Sequence, residues 1–211
     1  MALIDELISQ GWLKTQRIID AFREVQRIDF LPRGMEELAE LNEALSIGFG
    51  QTISQPLVVA FMIEHLAPMP GDKILDIGFG SGWTTAILAH IVSEGEKKSE
   101  SNGKVIAIEV IPELKKFGEN NVAKYGFIKK GIVQCIYGDG SKGYKKEAPF
   151  NKILCSASAK EIPQGWKEQL KIGGRIVTPI GTSIWCFTKI NKKEFKEIEY
   201  PGFVFVPLVE R

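Results

Sequence analysis

Two short segments of this 211-residue chain hold residue types and spacings that could do chemistry. The first is Gln51-Thr52-Ile53-Ser54. It puts two hydroxyls and an amide in a polar, glycine-bearing segment before a helix. The second is the glycine loop Gly78-Phe79-Gly80-Ser81-Gly82, preceded by Asp76 in an apolar run and followed by a helical stretch, Thr84 to Val92. A strand, a tight turn and a helix N-terminus in that order let a nucleotide-like ligand lie against bare backbone. The spacing selects the ligand. A dinucleotide fingerprint reads G-x-G-x-x-G, whereas this chain has G-x-G-x-G and places Trp83 where the third glycine would stand. A pyrophosphate needs that close helix approach, and a phosphate-free sulfonium nucleoside does not. The loop therefore reads as an S-adenosylmethionine site before a nicotinamide one.

Two further acids stand at the ends of apolar runs. Glu109 closes Val105-Ile-Ala-Ile-Glu109 and could accept both hydroxyls of a ribose. Asp139, in Gly138-Asp139-Gly140, could accept from an adenine amino group while Gly140 keeps the backbone clear of the ring. Taken singly, Glu109 is also a solvated strand-end charge, Gly138-Asp139-Gly140 a turn, and Ser54 a helix N-cap. Their alignment on successive strand ends favours a cofactor site.

The elements that must position these residues follow from periodicity. Residues 2 to about 40 place apolar residues at helical spacing and read as a cap, with a last short helix at Met35 to Leu41. Ser46 to Pro56 is a polar, glycine-bearing segment. Pro56 suits the first turn of a helix running to Leu66. From Lys73 strands alternate with helices. Strands are expected at Ile74–Ile77, Val105–Glu109, Ile132–Tyr137, Ile153–Ser156 and Arg175–Pro179, with helices at Pro112–Tyr125 and Pro163–Leu170. This alternation implies a Rossmann-like, doubly wound α/β fold, with a mostly parallel sheet and helices on both faces. The runs Ser183–Ile190, Glu194–Glu199 and Phe203–Val206 have no helix between them, so the sheet ends in antiparallel strands. The whole reads as one domain: a cap over 1–45, a cofactor-binding core over 46–182 and a β extension over 183–211. The polar stretch from Ser93 to Gly103 reads as an exposed loop insertion.

Composition narrows the function class. A net charge of +1 offers no field for nucleic acid or an anionic membrane. Acids near the start of the chain speak against a secretory signal. Cys135, Cys155 and Cys186 form no C-x-x-C pair and read as buried reduced thiols of a cytoplasmic protein. His65 and His90 lie on expected helices without enough N and S donors for a zinc site, so no metal is expected.

Ile47-Gly-Phe-Gly-Gln-Thr-Ile-Ser-Gln-Pro56 resembles the signature of the protein-L-isoaspartate O-methyltransferases. Leu75 to Gly82 resembles that family's cofactor motif. Gly138 to Tyr144, Ala148-Pro-Phe150, Ile162-Pro163, Gln169 to Arg175 and Phe205 to Leu208 match in order. The resemblance implies methyl transfer from S-adenosylmethionine to the side-branch carboxylate of L-isoaspartyl residues in damaged proteins and peptides. The ester then closes to a succinimide. The resemblance also implies that Ser54 lies beside the substrate carboxylate and the cofactor, with Gln51 and Thr52 orienting the same loop. The pattern expected of the protein is a monomer with polypeptide substrates. Leu57, Asn151 and Trp185 depart from the family pattern, and where the family usually runs into Thr-Ala-Ala this chain reads Cys155-Ser-Ala-Ser158, keeping a hydroxyl at Ser156. Those departures leave open a methyltransferase for another carboxylate or small molecule, or a cofactor-binding interaction module.

Overall fold

The computed structural model describes residues 3–93 and 103–209. Of the loop expected from Ser93 to Gly103, residues 94–102 lie outside that range. Helices α1 (Leu3–Ser9) and α2 (Gln16–Glu24) open the chain. α2 buries Ile18, Ile19, Ala21 and Phe22 and turns its polar residues outward. The helix expected over Met35–Leu41 shrinks to a 3-10 turn at Glu36–Leu38 that buries none of its residues. So short a segment with no buried face has nothing to stabilise it as an α-helix.

The segment after Ala44 is also more ordered than its glycines suggest. It folds into an antiparallel hairpin, β1 (Leu45–Gly48) and β2 (Gln51–Ile53). Leu45 and Ile47 point inward while Ser46 and Gly48 face out, which is the period of a half-buried strand. Helix α3 (Pro56–Leu66) follows, with Pro56 at its first turn as expected.

Seven strands form the central sheet: β3 (Lys73–Ile77), β4 (Lys104–Glu109), β5 (Val133–Tyr137), β6 (Phe150–Cys155), β7 (Leu170–Ile180), β8 (Ser183–Lys189) and β9 (Phe195–Pro201). Between them run α4 (Trp83–Ser93), α5 (Pro112–Ala123) and α6 (Gln164–Gln169). The order is β5-β4-β3-β6-β7-β8-β9, parallel through β7 and antiparallel beyond it. Phe203–Val206 is not a further strand. Gly202, at φ +97, turns the chain off the sheet edge, and the tail is instead held by Ser158. Ser158 N–H donates to Val206 O (2.8 Å), and Leu208 N–H donates to Ser158 O (2.9 Å).

Alternate strand residues face opposite layers. Ile74, Val105, Val133, Leu154 and Val177 pack into the larger core with residues of α1 to α5. Leu75, Ile106, Ile153 and Ile176 pack into a smaller core that includes Trp166 of α6. The connections leave β3 in one direction towards β4 and β5, and return to its other side at β6. That reversal opens a crevice at the carboxyl ends of β3 and β6, the position where ligands bind in open α/β sheets.

Candidate functional site

The crevice is a real cleft. Gln51 and Thr52 of the hairpin and Ser54 just after it line the cleft together with Gly78, Gly80 and Ser81. Glu109 at the end of β4, Ser156 just past β6 and the tail residues Val206 to Val209 also line it. The structure thus brings together two segments that are separate in the sequence. Thr52, Ser54 and Ser156 also line a second groove, completed by Val58 and Val204 to Val206. Ser54 therefore lines both the cleft and the groove beside it.

The glycine loop is built by close approach. Gly78 N–H continues the β3–β4 ladder onto Ile108 O (2.8 Å). Gly82 has φ +86, and a Cβ there would come within 2.7 Å of Gly118 O on α5. Gly82 therefore faces the helix rather than the cleft. Asn121 on α5, buried at 4 % exposure, donates to Ser81 O (3.0 Å) and holds the loop from behind. Trp83 opens α4, is itself buried and donates from its indole to Val25 O (3.1 Å).

Glu109 is the last residue of β4 and is 5 % exposed. One carboxylate oxygen accepts Gly80 N–H (3.0 Å), and the other accepts the N–H groups of Val110 (2.9 Å) and Ile111 (3.0 Å). It ties the glycine loop to its own strand end. The oxygen bonded to Gly80 N–H alone, Oε2, retains acceptor capacity for a ligand hydroxyl.

Asp76 does not reach the cleft. It is fully buried and accepts from Thr85 Oγ1 on α4 (2.6 Å), while its other oxygen has no partner. Burial pushes its pKa up to about 7, helped by the charge of Glu109 and opposed by the Thr85 bond. The folded protein therefore holds this proton between about pH 4 and pH 7, where an unfolded chain has released it. Stability carried by the proton falls as pH rises through that window. Asp76→Asn should remove the effect: its Tm advantage over the natural protein should grow from pH 4 to 7 in calorimetry and stay constant above. A gap that does not change with pH would count against a protonated Asp76.

Asp139 and Gly140 are likewise absent from the cleft wall. Asp139 caps a 3-10 turn, accepting Ser141 N–H (2.8 Å). A Cβ on Gly140 would meet Ile77 Cγ2 at 2.6 Å, so this glycine is needed for packing under the strand end.

Ser54 is not the cap of α3. The cap position falls on Gln55, which makes no side-chain cap bond, and Leu57 N–H is satisfied by Asn42 Oδ1 (3.0 Å). The helix thus leaves the serine hydroxyl for other work. The carbonyl of Ser54 accepts from Arg27 (3.4 Å), whose guanidinium also donates to Ala39 O (3.3 Å), Leu41 O (2.9 Å) and Glu43 O (2.7 Å). Neither Arg27 nor Asn121 was marked by the motifs. A charged or amide residue on an otherwise apolar helical face was the one available signal.

Of the thiols, Cys155 and Cys186 are buried, and Cys135 is only half-buried, because β5 is the sheet's edge strand. Burial raises the pKa of all three, so none is poised as a thiolate. Among the described residues no group of His, Cys, Asp and Glu could hold a metal ion, and no helix is long and apolar enough to cross a membrane.

Comparison with known proteins agrees with this geometry. The profile of the protein-L-isoaspartate(D-aspartate) O-methyltransferase family matches residues 1–211. A protein-L-isoaspartate O-methyltransferase of Methanopyrus kandleri is 39 % identical over 98 % of this chain and 89 % of its own. One from Methanococcus maripaludis is 38 % identical, covering 99 % and 95 %. The fold resembles that of a Plasmodium falciparum protein crystallised with S-adenosyl-L-homocysteine, with TM-score 0.88, 23 % identity and coverage of 99 % and 97 %. A solved protein-L-isoaspartate O-methyltransferase gives TM-score 0.85 at 25 % identity, covering 97 % of this chain and 64 % of that one.

Proposed function

The chain belongs to the protein-L-isoaspartate(D-aspartate) O-methyltransferase family, and we infer that it methylates the side-branch carboxylate of L-isoaspartyl residues in damaged polypeptides, using S-adenosylmethionine. The observation that carries this reading is the meeting of Ser54 with the glycine loop across one cleft. The residues there suit the cofactor: bare loop backbone, a carboxylate at a strand end and an apolar side made by Ile111 and Leu114. When bound, it supplies an electrophilic methyl on a sulfonium.

The protein's own work is alignment. The substrate carboxylate arrives ionised, so no residue need take a proton from it. Ser54 would donate a hydrogen bond to one carboxylate oxygen and so orient the other for attack. Gln51 and Thr52 orient that loop and its guest. Gly78, Gly80 and Ser81 receive the amino-acid part of the cofactor, and Glu109 takes the ribose hydroxyls. Asp76 and Gly82 serve the same site from behind, through Thr85 and the helix contact. Asp139 and Gly140 border the adenine end. The tail bonded to Ser158 supplies Val206 to Val209 to the cleft's lining.

Three of the departures from the family pattern lie elsewhere, and Ser156, which lines the cleft, keeps its hydroxyl. Asn151 accepts Lys73 N–H (3.0 Å) at the opposite end of β3, and Trp185 stacks on Phe187 within β8. Leu57, Asn151 and Trp185 are not among the residues lining the cleft or the groove. This favours isoaspartyl substrates over another small carboxylate. We place the activity in one domain of a cytoplasmic monomer acting on polypeptides rather than on nucleic acid or membranes. A net charge of +1 and unpaired thiols support that setting.

The test uses labelled S-adenosylmethionine and peptide pairs that differ only in an aspartyl or isoaspartyl linkage. Label should enter the isoaspartyl peptide alone. Equal labelling of both, or of neither, overturns the proposal. Glu109→Ala should weaken S-adenosylhomocysteine binding about tenfold in calorimetry, the value of one charge-assisted pair. Unchanged affinity would remove Glu109 from the ribose site.

A further inference from the structure

The tip of the β1–β2 hairpin breaks two rules at one residue. Gly48 pairs with Gln51, so Phe49 and Gly50 are the two loop residues. Both have positive φ, +57 and +70, the mark of a type I′ turn. That turn favours Asn, Asp or Gly at its first position, because a side chain there crowds the backbone. Phe49 accepts this strain and is still 60 % exposed, so burial returns little to offset it. An apolar ring held out by a strained turn is a local conflict of the kind found at functional sites.

Its surroundings say which function. Two residues earlier, Ile47 lies over the glycine loop, close enough that a Cβ on Gly80 would sit 3.2 Å from its Cδ1. Two residues later begins the stretch of Gln51, Thr52 and Ser54 that lines the cleft. Phe49 is five residues from Ser54, at most about 17 Å along the chain. An extended polypeptide anchored by its isoaspartate at Ser54 covers that distance with no more than about five residues.

We propose that Phe49 is a specificity-determining residue of the methyl-transfer site, whose exposed ring takes an apolar side chain close in sequence to the isoaspartyl residue of the substrate. The inference rests on the proposed function and goes beyond it, because it predicts a flanking-sequence preference. The ring is covered by substrate, not by the cofactor and not by a second copy of the chain.

The test compares the natural protein with Phe49→Asn on two sets of isoaspartyl peptides, one with leucine at flanking positions and one with serine. Asparagine suits the left-handed turn, so Tm should rise by about 2–4 °C. KM for the best leucine peptide should rise about tenfold, the value of burying one aromatic ring, while KM for the serine peptides and kcat hold. The affinity for S-adenosylhomocysteine should not change. A gain in stability together with a loss of discrimination is not what a merely structural phenylalanine would give. Equal KM values on both sets, before and after substitution, overturn the inference and leave the proposed function standing. So does weakened S-adenosylhomocysteine binding, which would give the ring to the cofactor. A dimer in sedimentation that Phe49→Asn dissociates would give it to a second copy and overturn the inference as well. If the natural protein methylates neither set, the proposed function falls and the inference falls with it.

Discussion

Ser54→Ala lowers kcat on an isoaspartyl peptide by about 10- to 100-fold and leaves the affinity for S-adenosylhomocysteine unchanged. The size follows from one hydrogen bond to a charged group, worth about 1.5–3 kcal/mol. The split between kcat and cofactor affinity follows from placement. Ser54 lines both the cleft and the adjoining groove, so its hydroxyl can serve the carboxylate without being the cofactor's main anchor. The substitution should also cost little stability, because Gln55 rather than Ser54 stands at the helix cap and Asn42 satisfies Leu57 N–H. Tm within about 2 °C of the natural protein is expected for a partly exposed site of this kind. Single-turnover kinetics with saturating cofactor would check the rate, and calorimetry the affinity. Loss of cofactor affinity with kcat intact would place Ser54 on the other side of the cleft.

The features readable from sequence are those whose cause is local. β3, the glycine loop and α4 are contiguous, and each shows its own period. Glu109 was legible because a parallel strand ends where its apolar run ends. The hairpin was not. Its strands are only four and three residues long, and Gly48 and Gly50 give its segment the look of a loop, so the pairing of Leu45 with Ile53 had no local signature. Phe203–Val206 failed in the opposite way. Its residues are β-type, but only its ends are bonded: Phe203 N–H donates to Thr182 O and Val206 O accepts Ser158 N–H, so no ladder forms along it. Asp76, Gly82, Asp139 and Gly140 show a third limit. Motif spacing marks residues that shape a loop as well as residues that face its ligand, and only packing separates them. Gly82 meets Gly118, and Asp76 meets Thr85.

Arg27 shows the deepest limit, and its loss has the largest expected effect on stability. It is 6 % exposed, and none of its hydrogen bonds goes to a carboxylate. Its acceptors are backbone carbonyls, which no side-chain pattern reveals. They belong to Ala39, Leu41 and Glu43 before the hairpin and to Ser54 after it. The guanidinium also lies 5.6 Å from the ring centroid of Trp83, the first residue of α4. Burial lowers its pKa to about 10, with Glu40 opposing, so it stays charged at neutral pH. One buried cation thus clamps both ends of the hairpin segment against the start of the cofactor helix. Arg27→Met keeps most of the stem volume but leaves these carbonyls without their donors. At about 1 kcal/mol or more for each well-formed bond, the cost is about 3 kcal/mol, or a Tm lower by roughly 6–12 °C for a domain of this size. Arg27→Lys keeps the charge and loses the planar fork, so one ammonium cannot span four acceptors. It should fall between the two in Tm. It should also lower kcat while S-adenosylhomocysteine affinity holds, because the Ser54 loop loosens and Trp83 keeps its bond to Val25 O. An Arg27→Lys protein with natural Tm and natural kcat would show that charge alone suffices, and that the fork does not hold Ser54 in place.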